Sequence, residues 1–237
     1  MAFGQREFAS ELKALGINVS RETLQRLETY ASLLVKWQDK INLVGPATLP
    51  DLWHRHFLDS AQLVPLLSSR GRSLSSTQPS VERATPTPTL PQLGGGGVLV
   101  DLGSGAGFPG LVLAILTDWE IHLVDSDQRK CAFLCQVALD CGVLKRVTIH
   151  AKRIEQVTGI AVDAVTARAC APLEDLLGLA APFAGESGAC LFLKGAQVEE
   201  ELTAAERHWT MRLERRASVT DPSGSILIVT HLRRKSQ

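Results

Sequence analysis

At 237 residues the chain is long enough to bury a substantial core, and 45% hydrophobic with 21% charged residues is the composition of an ordinary soluble globular protein. Twenty-five basic residues balance twenty-five acidic ones. That excludes a protein held on nucleic acid by bulk charge and leaves room only for a local basic patch.

The opening Met-Ala-Phe-Gly-Gln-Arg-Glu lacks the apolar core of a signal peptide, and no apolar run reaches membrane-spanning length, so the expectation is a cytoplasmic protein with no membrane partner. Residues 1–69 then show helical periodicity. Phe8, Leu12 and Leu15 fall on one face, and Ser20-Arg-Glu-Thr is a cap for the next helix. Leu24, Leu27, Leu34 and Trp37 form a stripe, Gly45-Pro46 breaks it, and Asp51-Leu-Trp-His-Arg-His-Phe-Leu-Asp-Ser60 restarts it. Residues 70–97 change abruptly to Ser, then Thr-Pro-Thr-Pro, then four glycines, a composition too poor in apolar residues to pack and expected to be a mobile insertion. Residues 98–237 form the third unit.

That unit opens on Val98-Leu-Val-Asp-Leu-Gly-Ser-Gly-Ala-Gly-Phe-Pro-Gly110, a buried strand, a glycine loop and, from Leu111 to Leu116, a helix. Strands and helices then alternate. Ile121–Asp125 is a strand and Gln128–Leu139 a helix, in which Cys131 and Cys135 sit one turn apart. The five cysteines (Cys131, Cys135, Cys141, Cys170, Cys190) form no Cys-x-x-Cys pair and read as reduced. Val147–His150 is a strand, Ile154–Val157 at most one helical turn, Val162–Arg168 a strand and Leu173–Phe183 a helix. Ala189–Leu193, the helix Val198–His208, and strands near Arg212–Val219 and Ser225–His231 complete the chain. Alternation of this kind implies a mostly parallel sheet covered on both faces, with a ligand outside the carboxyl ends of its strands.

The glycine loop lets a ligand approach bare backbone, which makes Gly103, Gly105 and Gly107 cofactor candidates. Gly105-x-Gly107-x-x-Gly110 also fits a dinucleotide fingerprint. The acid two residues before the first glycine discriminates, since Asp101 stands beside the loop where it could meet an ammonium or a bound water. Asp101-x-Gly-x-Gly-x-Gly resembles the first motif of the S-adenosylmethionine (SAM) methyltransferases. Asp125 ends the second strand, where a carboxylate accepts both hydroxyls of a ribose. Ile154 and Glu155 follow the third strand, near where an adenine would lie, and Glu155 reads equally as a plain acid at a helix start. Arg168 closes the fourth strand and is expected to project into the site as its catalytic residue. Arg55, His56 and Lys194, with the pairs Arg129-Lys130, Lys145-Arg146, Lys152-Arg153, Arg215-Arg216 and Arg233-Arg-Lys235, are candidates for a phosphate-contacting rim on RNA.

Several devices are missing. No Asp/Asn-Pro-Pro-aromatic segment, Pro-Cys dipeptide, Ser/His/Asp grouping or metal-ligand spacing occurs. The acceptor should therefore own a lone pair and need no strong base, as guanine N7 does.

In order along the chain, Trp37 with Ile41-Asn-Leu, Arg55-His-Phe-Leu-Asp-Ser60, Asp101-Leu-Gly-Ser-Gly-Ala-Gly-Phe-Pro-Gly110, Leu123-Val-Asp-Ser126, Arg168-Ala and Leu193-Lys-Gly195 closely resemble the bacterial small-subunit ribosomal RNA methyltransferase G family, also called glucose-inhibited division protein B. The resemblance implies a SAM-dependent Rossmann-like α/β fold, with a mostly parallel seven-stranded sheet whose last strand is antiparallel and an N-terminal helical extension. It implies methylation of N7 of one guanine in the decoding region of 16S rRNA, with Gly103, Phe108, Ile154, Glu155 and Arg168 contacting SAM. The partner is then 16S rRNA or a small-subunit precursor, met by a monomer. The chain departs from the family in having Gln38 after Trp37, Val44 after Asn-Leu, and the 70–97 insertion. Two other readings stand beside this one: an NAD-linked oxidoreductase, which shares the glycine fingerprint, and a non-catalytic RNA-binding or assembly module.

Overall fold

A computed structural model of the chain describes residues 4–71, 96–185 and 188–235. Most of the expected 70–97 insertion lies outside the described residues. The N-terminal helices are α1 (Gln5–Ala14), α2 (Arg21–Gln38), α3 (Asp59–Ala61) and α4 (Val64–Gly71). Ser20 caps α2 as its sequence suggests, its hydroxyl accepting the Thr23 N–H at 3.1 Å. The restart after Gly45-Pro46 is helical but irregular: a 3₁₀ segment, Pro46–Asp51, runs into a π turn, Trp53–Leu58. Proline within the first and the short π stretch in the second break the regular hydrogen-bond ladder.

The sheet contains β1 (Val98–Leu102), β2 (Glu120–Asp125), β3 (Val147–Ala151), β4 (Ala164–Arg168), β5 (Ala189–Lys194), β6 (Trp209–Ala217) and β7 (Ser225–Arg234), in the order β3-β2-β1-β4-β5-β7-β6. β1 to β5 are mutually parallel, and β7 runs antiparallel to both β5 and β6. The last strand is thus the one reversed strand. The four connecting helices are α5 (Gly110–Leu116), α6 (Gln128–Asp140), α7 (Leu173–Ala184) and α8 (Val198–His208). β4 starts two residues later than the apolar run suggests, because Asp163 turns its carboxylate back to accept the Val98 N–H at 2.9 Å.

Two cores flank the sheet. Val100, Leu102, Val165 and Ala167 meet α7 and α8 on one face. On the other, Leu99, Ile121 and Leu123 join α5, α6 and the N-terminal helices in a continuous cluster from Phe8 to Phe133. The N-terminal helices therefore pack as an added layer over the α5–α6 face. Among the described residues no helix is long and apolar enough to cross a membrane.

Order reverses on either side of β1, whose chain continuation lies on the β2 side and whose other neighbour is β4. That switch point opens a crevice at the strands' carboxyl ends.

Candidate functional site

The glycine loop fills the β1 side of the crevice, and its residue types follow from its contacts. Asp101 faces Thr166 across the β1–β4 register. The Thr166 hydroxyl donates to Asp101 Oδ1 at 2.8 Å and the Gly110 N–H to Oδ2 at 3.2 Å. The side chain is wholly buried, and that burial pushes its pKa up to about 6 against the opposing hydrogen bonds. Asp101 thus braces the loop from inside. In this arrangement each of its oxygens accepts a donor from within the fold.

Gly103, Gly105 and Gly107 have φ of +65°, +55° and +92°, values that disfavour any L side chain. They differ in what surrounds them. A Cβ on Gly103 would lie 2.5 Å from Cys170 Sγ; on Gly107 it would lie 2.6 Å from a Leu111 methyl and 2.7 Å from the Tyr30 hydroxyl oxygen. On Gly110 it would strike Leu123 and the Asp101 carboxylate. Gly105 alone of the four faces open space, its nearest neighbour being the Gly103 carbonyl oxygen at 3.8 Å. The Gly105 N–H donates to Asp125 Oδ2 at 2.8 Å, and Asp125 Oδ1 accepts the Asp127 N–H at 2.8 Å. Asp125 therefore orients the open glycine from the end of β2. Ile154 and Glu155 lie in a 3₁₀ turn after β3, Ile154 half-buried and Glu155 exposed.

An aromatic cover ties this loop to the N-terminal helices. Phe108 is nearly buried, stacked on Tyr30 at 5.2 Å between ring centroids and on His56 at 5.1 Å, with the Arg168 guanidinium 5.0 Å from its centroid. The Tyr30 hydroxyl donates to the Ala106 carbonyl oxygen inside the loop. Tyr30, the chain's one tyrosine, was not singled out in the sequence although it falls three residues after Leu27 and four before Leu34, on the buried stripe.

Beyond β4 and β5 the crevice widens into a cavity of about 630 Å³, lined from the N-terminal side by Thr48, Arg55, His56 and Asp59 and from the sheet side by Arg168 and Lys194. The turn between β6 and β7 closes it with Ser218, Thr220 and Asp221. Asp59 links these walls. Its Oδ1 accepts Gln62 Nε2 at 2.8 Å and the Thr220 hydroxyl at 2.7 Å, while Oδ2 stands 3.4 Å from Arg168 Nη1. Arg168 Nη1 also donates to the Arg55 carbonyl oxygen at 3.1 Å. Ala169, next to it, holds φ of +49°, a strained value that turns the chain away from β4 towards Cys170. Asp59 and Thr220 were not singled out from sequence either. Asp59 lies within the quoted Arg-His-Phe-Leu-Asp-Ser run, whereas nothing local marks Thr220.

Other candidates find different surroundings. His56 is buried, and desolvation together with Arg168 and Arg55 lowers its pKa to about 3. A neutral imidazole offers no charge to a phosphate. Lys194 reaches the cavity but pairs with Glu201 at 2.5 Å and donates to the Ala171 carbonyl oxygen at 3.0 Å. Arg55 stays half exposed, 3.9 Å from Asp221. Arg146 leaves the expected basic rim altogether, donating to the carbonyl oxygens of Ala114, Thr117 and Trp119 at the end of α5. Arg215 pairs with Glu199 and Arg216 with Glu214. Gln38 turns inward, where its side chain bonds the backbone of Leu43 and Val44 and holds the loop after α2. Burial, reinforced by Asp101 and Asp125, raises the pKa of the Cys170 thiol.

Comparison with known proteins agrees with this architecture. The family model described as rRNA small subunit methyltransferase G matches residues 23–74 and 89–226, skipping the middle of the insertion. A Paramagnetospirillum magneticum protein named ribosomal RNA small subunit methyltransferase G is 52% identical over 219 residues, covering 92% of either chain. Proteins of the same name from Rhodospirillum rubrum and Gluconobacter oxydans are 50% and 44% identical; they cover 94% and 91% of this chain and 98% and 97% of their own.

Proposed function

This chain belongs to the rRNA small subunit methyltransferase G family, and on that premise we propose that it methylates N7 of one guanine in the decoding region of 16S rRNA, using SAM. The coarser reading, SAM-dependent methylation of small-subunit rRNA, follows from the family; the atom and the position are the finer reading. One observation of this chain carries the cofactor assignment. Gly105 is the loop glycine that opens outward at the switch point, with Asp125 fixing its amide.

Gly103, Gly105 and Gly107 would pass along the cofactor, Asp125 would meet its ribose, and Ile154 and Glu155 would flank its adenine. Phe108 fits here as the anchor of the loop, its ring covered on the inside. Asp101 stiffens that loop. SAM, when bound, supplies an electrophilic methyl group on a sulfonium. Guanine N7 brings its own lone pair, so the protein is asked for positioning and exclusion of water rather than for a base. The side chains agree with that demand. His56 is neutral and covered, and the raised pKa of Cys170 keeps its thiol protonated, which disfavours a covalent route. Arg168 stands between loop and cavity, where its rigid fork orients the acceptor. Arg55 and Lys194, on the cavity rim, face the RNA.

The NAD-linked reading loses support from the sheet, because a reversed strand lies between β5 and β6 where a second nucleotide-binding half would continue in parallel. We read the partner as 16S rRNA or a precursor of the small subunit, engaged by a monomer in the cytoplasm. The test is to map methylated guanines by mass spectrometry on small subunits from cells lacking the gene, before and after incubation with purified protein and SAM. A single 7-methylguanine that is absent at first and appears on incubation is expected. A methyl group on another nucleotide, or none, would overturn the reading.

A further inference from the structure

His56 carries an unmet hydrogen bond at the wall of the cavity. The residue is 8% exposed, and its ring lies on Phe108. Its two nitrogens are not equivalent. Nε2 lies 2.7 Å from the Thr48 hydroxyl oxygen, and that hydroxyl gives its only proton to the Gly45 carbonyl oxygen, also at 2.7 Å. Nε2 therefore holds the imidazole proton and donates to Thr48, leaving Nδ1 as a bare lone pair. Among the described residues, Nδ1 is the one buried side-chain nitrogen or oxygen without a hydrogen-bond partner. Protonation offers no relief, since burial and two neighbouring arginines keep the ring neutral. A buried acceptor left unpaired destabilises the fold that holds it and marks a place where a donor is missing.

We propose that His56 is a specificity residue of the cavity, its Nδ1 accepting an N–H from the acceptor nucleobase. This rests on the methyl-transfer reading and adds to it the group that reads the base. The volume suits a nucleobase-sized guest. The chemistry narrows the donor. A phosphate or a carbonyl would oppose one acceptor to another. A cationic donor would enter a region where Arg168 and Arg55 already act on the ring. A neutral imino or amino group satisfies both conditions, and guanine carries N1–H and N2–H2 on the edge away from N7. Nδ1 is covered in the free chain, so the bond forms as the base enters and displaces that cover.

Three substitutions separate the two nitrogens. His56→Asn puts an amide oxygen where Nδ1 branches from Cγ and loses the bond to Thr48. His56→Gln keeps a polar group near the Nε2 position and loses the acceptor at Nδ1. His56→Phe keeps the stacking on Phe108 and neither polar contact. Each is compared with wild type for thermal melting, for S-adenosylhomocysteine binding by calorimetry, and for kcat/KM of methyl transfer to small subunits lacking the modification. Expected is unchanged S-adenosylhomocysteine affinity in all three, melting of the Phe variant at or above wild type, and a kcat/KM loss of roughly tenfold or more for Gln and Phe, with Asn keeping the larger share. A merely structural histidine would instead lower melting and leave turnover intact in the folded fraction. Gln at the wild-type rate, or Gln equal to Asn, overturns the inference alone. Wild-type methylation at a nucleotide other than guanine overturns the functional reading, and this inference with it.

Discussion

The glycine loop and the cavity beside it meet at Gly103 and Cys170, yet they are finished to different degrees. In the loop, both oxygens of Asp101 and both of Asp125 accept backbone or hydroxyl donors, and three of four glycines are closed in by neighbours. The cavity is assembled from the N-terminal helices, two strand ends and a distant turn, and keeps an acceptor without a donor at His56. The difference teaches where preorganisation is complete and where a ligand completes it. A loop that must hold the same cofactor every turnover gains from a fixed backbone. A surface that must choose one base gains from a polar group left wanting.

The largest effect should come from filling the loop's closed side. Gly110→Val drives a branched Cβ into Leu123 and the buried Asp101 carboxylate, overpacking that costs about 1–3 kcal/mol or more. It should lower the melting temperature sharply in a calorimetric scan. Gly105→Val, two glycines away, meets open space and pays only for its positive φ, about 1–2 kcal/mol. It should stay folded while losing S-adenosylhomocysteine binding. Equal destabilisation by the two variants would erase the distinction between the closed and open glycines.

Arg168 tests the seam between the regions. Arg168→Lys and Arg168→Ala should both lose about a hundredfold in kcat, as removal of a positioned donor does. Their stabilities should differ, because Lys keeps a cation beside the largely buried Asp59 and Ala leaves that carboxylate with its neutral donors alone. If Lys restores turnover, charge alone matters and the fork has no role.

Acidity offers a finer separation. Asp101 titrates at about 6 in the fold against a reference of 3.8, so the folded state binds the extra proton and this group's stabilisation fades as pH rises from about 4 to 6. His56 runs the other way. Its pKa falls from 6.5 to about 3, the unfolded chain binds the extra proton, and stability fades as pH falls through that range. Each group contributes at most one proton's worth of slope, and between pH 4 and 6 the two oppose. Asp101→Asn should therefore steepen acid destabilisation, and His56→Phe should flatten or reverse it, in urea melts taken at half-unit steps. Parallel curves for the two variants would contradict the assignment.

The loop was far more legible in the sequence than the cavity. Val98–Gly110 is contiguous, so strand, glycines and helix declare themselves in one reading, and the alternation that follows gives the parallel sheet. The internal partners of Asp101 were not legible, because only the register between β1 and β4 brings Thr166 to it. The cavity is non-local. Asp59 and Thr220 are 161 residues apart, and no periodicity links the start of α3 to the turn before the last strand. Among the basic pairs, Arg146 is occupied within the fold, its guanidinium donating to the carbonyl oxygens of Ala114, Thr117 and Trp119.

The central claim is that the loop takes the cofactor and the cavity takes the base. Amide hydrogen exchange on addition of S-adenosylhomocysteine alone tests it most directly. The account predicts slowed exchange over residues 103–107 and 154–156 with residues 218–224 unchanged; protection confined to 218–224 and the strand end after Arg168 would contradict it.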